Sequence, residues 1–155
     1  MLSRRVGFTG ASDLLLRALT HPSYAHEHPP SPHNETLAFL GDAVLGLAVA
    51  AVLVEREPDA GPGDLTIRRA EIVSTRSLAT WARELGMNAG IRLGRGEMQH
   101  GGREKESILA SALEAVVAAL YLAGGLAVVL PLVRRLMPLG VEPGRERGGS
   151  GEATW

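Results

Sequence analysis

The strongest hydrophobic pattern in the chain begins at Asn34. Apolar residues at Leu37, Leu40, Val44 and Leu47 recur at three- and four-residue steps, and the apolar run continues to about Val54 before EREPDAGPGD breaks it. This spacing predicts a helix with one inward stripe, capped by Asn34. Upstream, TGASDLLLRALTH predicts a short helix capped by Ser12, with Leu14, Leu15, Ala18 and Leu19 on its inner side. Between the two, HPSYAHEHPPSPHN carries four histidines and four prolines and predicts an ordered or semi-ordered loop rather than a helix.

Farther along, LTIRRAEIVSTRSLATWARELG predicts a helical region with Ile67, Ala70, Ile72 or Val73, Leu78 and Trp81 inside. Ser74 and Thr75 mark a bend there, and Gly86 is placed to end it. After the loop LGRGEMQHGGREKE, a helix is expected from about Glu106 to Leu122, closed by Gly124 and Gly125. LAVVLPLVRRLM supplies another, kinked at Pro131. Neither strand alternation nor an internal repeat is evident. The expectation is an all-α domain over residues 1–139, followed by a flexible tail at 140–155 with Trp155 in solvent.

Composition sharpens this picture. At 155 residues the chain suits one domain, and with 45% hydrophobic but 4% aromatic residues the core must be built from Ala, Leu and Val, which favours closely packed helices. The absence of cysteine excludes disulfides and thiolate metal sites. A formal charge of -1, from 16 basic and 17 acidic residues, gives no global attraction to nucleic acid or an anionic membrane, although a local basic patch remains compatible with it. MLSRRVGFTG has no apolar core of signal-peptide length. AVVAALYLAGGLAVVLPLV is interrupted by paired glycines and a proline, so it reads as two buried helices rather than a membrane span.

Three acids stand out within apolar surroundings. Glu35 and Asp42 lie seven residues apart, which on a helix returns both to one face, and Glu114 sits mid-way along an otherwise apolar helix. Carboxylates are costly to bury without a partner, so the trio is either structural and solvated or part of a metal site. Periodicity alone does not bring the two helices together.

HPSYAHE at 21–27, NETLAFLGDAVLGL at 34–47 and LGRGEMQHGGREKESILASALEAVVAALYLAGG at 93–125 occur in an order and spacing that resembles the nuclease domain of the ribonuclease III family, across roughly residues 6–138. The resemblance implies an all-helical domain forming a symmetric homodimer. Its valley takes double-stranded or structured RNA, and carboxylates there hold Mg²⁺ or Mn²⁺ for phosphodiester hydrolysis. It implies Asp42 and Glu114 as the catalytic and metal-binding pair, with Glu35 and Ser111 as further candidate ligands. It also exposes two departures. The family's first signature has a second Glu where this chain has Ala38, and its second signature has an Asp where this chain has Ser111. Each helix thereby lacks one member of an i,i+4 or i,i+3 acidic pair. Weak or absent cleavage is the resulting expectation.

Other residues carry less specific signals. The resemblance makes Phe39 and Gly41 candidates for the dimer contact, with burial of Phe39 in its own subunit and plain helix packing at Gly41 as the alternatives. Arg68, Arg69, Arg95, His100, Arg103 and Lys105 are candidate RNA-facing residues, although Glu97, Glu104 and Glu106 dilute any basic patch. His26, His28 and His33 lack metal-site spacing and read as loop residues. His21 and Tyr24 are read as supports holding that loop against the helices. The resemblance is to the compact type without a double-stranded-RNA-binding domain, so RNA would be bound by the helical domain alone. A ribosomal particle is a possible partner, a cytoplasmic location is expected and no membrane is involved. The alternatives are an active double-stranded-RNA endoribonuclease in ribosomal RNA maturation and a non-enzymatic protein-interaction scaffold.

Overall fold

The computed structural model describes residues 1–138. The expected tail, residues 140–155 with Trp155, lies outside the described residues, as does the domain boundary at Leu139. Helices α1 (Leu2–Val6), α2 (Ser12–Ala18), α3 (Pro22–Glu27), α4 (Glu35–Arg56), α5 (Pro62–Ile72), α6 (Thr75–Glu84), α7 (Arg95–Gln99), α8 (Glu106–Gly124) and α9 (Leu126–Leu136) follow in order, with a 3₁₀ turn at Gly102–Glu104. Among the described residues no strand forms, and one isolated parallel bridge joins Thr20 to Arg92. The fold is all-α, as the patterning predicts.

Helix α8 is the axis of the domain. It packs chiefly on α4 and α6, with α2 and α9 completing the layer around it. Ala112, Leu113, Ala115, Val116, Ala118, Ala119 and Leu120 are sealed from solvent, and the recurring alanines let neighbouring helices approach closely. Helices α4 and α8 are both long and apolar enough to cross a membrane by length and composition, yet half or more of each apolar window is buried inside the protein. That burial accounts for their hydropathy through packing.

Several local expectations change. The histidine- and proline-rich segment is not all loop: Pro22 occupies the first turn of α3, where its missing N–H is not needed, and the His21 ring caps the helix by accepting from the Ser23 N–H. Ser12 is the first helical residue of α2, and Ala11 stands at the cap. Asn34 does precede α4, but its side chain donates to the Ala18 carbonyl (3.1 Å) and makes no cap bond. It thus ties α4 to the end of α2. Ser74 caps α6 through the Ser77 N–H, which explains the bend.

The largest departure concerns α5. It buries no residue, and Ile67 and Ala70, expected inside, face outward, Ile67 being 61% exposed. The bend at Ser74 separates α5 from α6, so the two do not share one inward stripe; α6 alone contributes Leu78 and Trp81 to the core. The stripe on α4 also splits, with Leu37 and Val44 buried and Leu47 in solvent. Helix α9 runs through Pro131 from Leu126 to Leu136 as one helix.

Candidate active site

The site is organised by the crossing of α4 and α8. Gly41 lies at the contact, and a Cβ there would overlap the carbonyl oxygen of Glu114. The absent side chain is what allows the two backbones to meet, so Gly41 serves a close approach within the subunit. It brings the next residue on α4, Asp42, into electrostatic reach of the Glu114 side chain. Burial, and secondarily the charge of Asp42, push the Glu114 carboxyl up to about 7. At neutral pH about half of the Glu114 carboxyls therefore retain a proton, which relieves the repulsion between the two acids.

One turn earlier on each helix the two departures from the family pattern meet. Ala38 and Ser111 line a single cleft of about 290 Å³, together with Glu35, Asn34, His21 and Ser107. His21 is held in place on the far side. Its Nδ1 accepts from the Ser23 N–H (3.1 Å) and lies 2.7 Å from the Ser23 hydroxyl, which in turn accepts from the Gly94 N–H (2.9 Å). Because that hydroxyl already accepts from Gly94, it is oriented to donate to the ring. Burial lowers the His21 pKa against the opposing pull of Glu97 and Glu35, so the imidazole is neutral at pH 7.

Among the described residues no group of three or more His, Asp or Glu side chains is arranged to hold a metal ion. Glu35 lies on the cleft but does not complete a cluster with Asp42 and Glu114, and Ser111 offers a neutral oxygen in place of a charge. Two carboxylates fit one hydrated Mg²⁺ whose remaining ligands include a substrate phosphate; they do not form a cage of protein ligands.

The candidate RNA-facing residues divide in two. Arg68 pairs with Glu57, Lys105 pairs with Glu97 (2.8 Å), and the Arg103 guanidinium donates to the carbonyls of Asn88, Ala89 and Ile91. These contacts give all three a part in holding the fold. Arg69, Arg95 and His100 are exposed. Phe39 is 82% exposed, so it is not buried in its own subunit, and Leu47 and Val54 continue the same outward face of α4. Ser107, a cleft residue, had no signal in the sequence, since its position opposite Ala38 depends on how α8 lies on α4.

A family model described as ribonuclease-III-like matches residues 11–139. The chain belongs to the ribonuclease III family. Ribonuclease 3 of Thermobifida fusca is 53% identical over 131 residues, covering 84% of this chain and 55% of that protein. Ribonuclease 3 of Streptomyces coelicolor is 51% identical over 136 residues, covering 88% and 49%. The chain thus spans about half the length of these ribonuclease III relatives. Among solved structures, the nuclease domain of ribonuclease III from Campylobacter jejuni superposes with a TM-score of 0.80 at 37% identity, covering 87% of this chain and 92% of that one, in a structure described for flexibility in a region involved in dimer formation.

Proposed function

We propose that this ribonuclease III domain binds double-stranded or structured RNA as a symmetric homodimer, and that its own Mg²⁺-dependent cleavage is weak or lost. The observation that carries the second statement is the shared cleft: Ala38 and Ser111 face the same space, and Asp42 and Glu114 are left as an isolated carboxylate pair. A bound Mg²⁺, held by Asp42 and Glu114 and by an RNA phosphate, would supply charge neutralisation and a more acidic water. The residues present do the rest incompletely. The proton that burial and Asp42 hold on Glu114 competes with metal for the carboxylate oxygens, and neutral Ser111 orients water without supplying charge.

The outward face of Phe39, Leu47 and Val54 supports the dimer, since it is apolar and lies on one side of a helix otherwise committed to the core. Exposed Arg69, Arg95 and His100 support contact with a phosphate backbone. The same reading puts the protein in the cytoplasm, with ribosomal particles among its structured-RNA partners.

The test is incubation with long duplex RNA in Mg²⁺ and in Mn²⁺, comparing wild type with Asp42→Asn, Glu114→Gln and the double variant Ala38→Glu, Ser111→Asp. Slow or absent wild-type cutting, raised at least tenfold in the double variant, is the expected result. Efficient wild-type cutting in Mg²⁺ that Asp42→Asn and Glu114→Gln both abolish would establish an active endoribonuclease instead. Equal and negligible affinity for duplex and single-stranded RNA at low salt would favour a protein-interaction scaffold.

A further inference from the structure

Helix α3 carries a histidine at each end. His21 stands at its N-cap on the acidic cleft, and His28 stands at its C-cap. Between them the structure builds a layered stack. Fully buried Thr20 accepts from both Nε (3.0 Å) and Nη2 (2.6 Å) of Arg92 through its hydroxyl oxygen, while that hydroxyl donates to the Leu16 carbonyl (2.7 Å). The anchored guanidinium lies 4.6 Å from the centroid of the Tyr24 ring. On Tyr24, one turn before it, rests His28, with ring centroids 4.0 Å apart and planes inclined by 12°.

The last ring is held twice. Besides stacking on Tyr24, His28 places Nδ1 3.0 Å from the Tyr24 carbonyl, and since a carbonyl only accepts, Nδ1 carries the proton. An exposed histidine fixed by stacking and by a hydrogen bond has already lost most of the rotamer freedom that a contact would otherwise remove. It borders an open cavity of about 400 Å³ together with Glu27 and Arg95. The Arg95 backbone N–H donates to Glu27 Oε1 (2.9 Å), which fixes the start of α7 and leaves the exposed Arg95 side chain at the rim.

We propose that the outer face of His28 is a stacking platform for the base of an unpaired nucleotide, whose phosphate is taken by Arg95. The proposal rests on the RNA-binding reading above and adds to it a preference for a defined feature of the RNA. A base pair inside a duplex has both faces covered by its neighbours, so a planar platform of this kind meets an unstacked base at an end, bulge or loop. The ligand is a nucleotide rather than a plain aromatic group because a cation stands beside the plane. Glu27 tempers that charge and can accept from an exocyclic amine. Helix α3 spans the two histidines by about 10 Å, so the unpaired nucleotide would lie at the margin of the acidic cleft.

The test compares a blunt duplex RNA with the same duplex carrying one unpaired 2-aminopurine nucleotide at an end, in EDTA so that no cleavage intervenes. Anisotropy reads affinity, and 2-aminopurine quenching reads stacking. The overhang is expected to tighten binding about five- to tenfold, the scale of one base–aromatic stack, with quenching of the probe. His28→Ala should abolish both the gain and the quenching while blunt-duplex affinity stays at the wild-type value; His28→Phe should retain both. Equal affinity for the two RNAs, or a gain that survives His28→Ala, would overturn the platform while leaving duplex binding in place. Absence of binding to either RNA would overturn the RNA-binding reading and the platform with it.

Discussion

Large apolar side chains stand on both faces of α4 and meet different fates. On the inner face Leu45, Ala48, Val49 and Val52 are almost wholly buried against the rest of the subunit. On the outer face Phe39, Leu47 and Val54 are 82%, 55% and 58% exposed. Single exposed hydrophobic residues are ordinary on a protein surface, but three spaced about two turns apart along one side of one helix form a patch. One subunit covers only the inner side of this helix, and the exposed apolar side chains on its other side are left for another cover. The inner face is thus explained by the fold, and the outer face by the dimer proposed above.

The inner face should be the more sensitive. Replacing Gly41 by Val drives a side chain into the Glu114 carbonyl and must part α4 from α8, for which a loss of about 3 kcal/mol is expected, a drop of about 6–12 °C in Tm for a chain of this size. Calorimetry that found the melting temperature unmoved would remove the close crossing on which the site depends. On the outer face, Phe39→Asp should leave the subunit folded but weaken self-association by about 2 kcal/mol or more, roughly thirtyfold in Kd. Sedimentation would detect it. A wild-type protein that stays monomeric at every concentration would break the comparison, since the outer patch would then need another cover.

A smaller effect sharpens the inner face at the site itself. The folded subunit holds the Glu114 proton up to about pH 7, above the ordinary value of 4.5, so it binds that proton more tightly than the unfolded chain does. The stability this contributes is full below about pH 4.5 and is lost as pH rises through about 7. Glu114→Gln has no such proton to lose. Between these pH values the wild-type Tm should therefore fall relative to that of the variant, and parallel melting curves would mean that Asp42 and the burial of Glu114 do not act on this carboxyl. By the same linkage, Mg²⁺ should bind more tightly as pH rises through 7.

Much of the fold was legible because helical periodicity is a local property. The long apolar segments became α4 and α8 close to their expected bounds, and the loss of acids at Ala38 and Ser111 needed only the chain itself to be noticed. The α5 segment misled because Ile67 and Ala70 have inward spacing, yet nothing packs over them. The α3 segment misled for the opposite reason: four prolines argue for a loop, but Pro22 occupies the one helical position that tolerates it and His21 supplies the cap. The stack of Arg92, Tyr24 and His28 had no sequence signature, because Arg92 reaches Tyr24 from a distant segment.

Local chemistry written along the chain determined that this protein is helical, that its core is built from small aliphatic residues, and which acids it retains and lacks. Those properties depend on residue type and on neighbours within a turn or two. Tertiary structure alone decided that Ala38 and Ser111 share one cleft, that Gly41 admits the backbone at Glu114, and that one apolar face of α4 is left uncovered. Each of these depends on where two distant segments touch. Helical spacing says which side of a helix is apolar; close packing against α8 determines which apolar side is used.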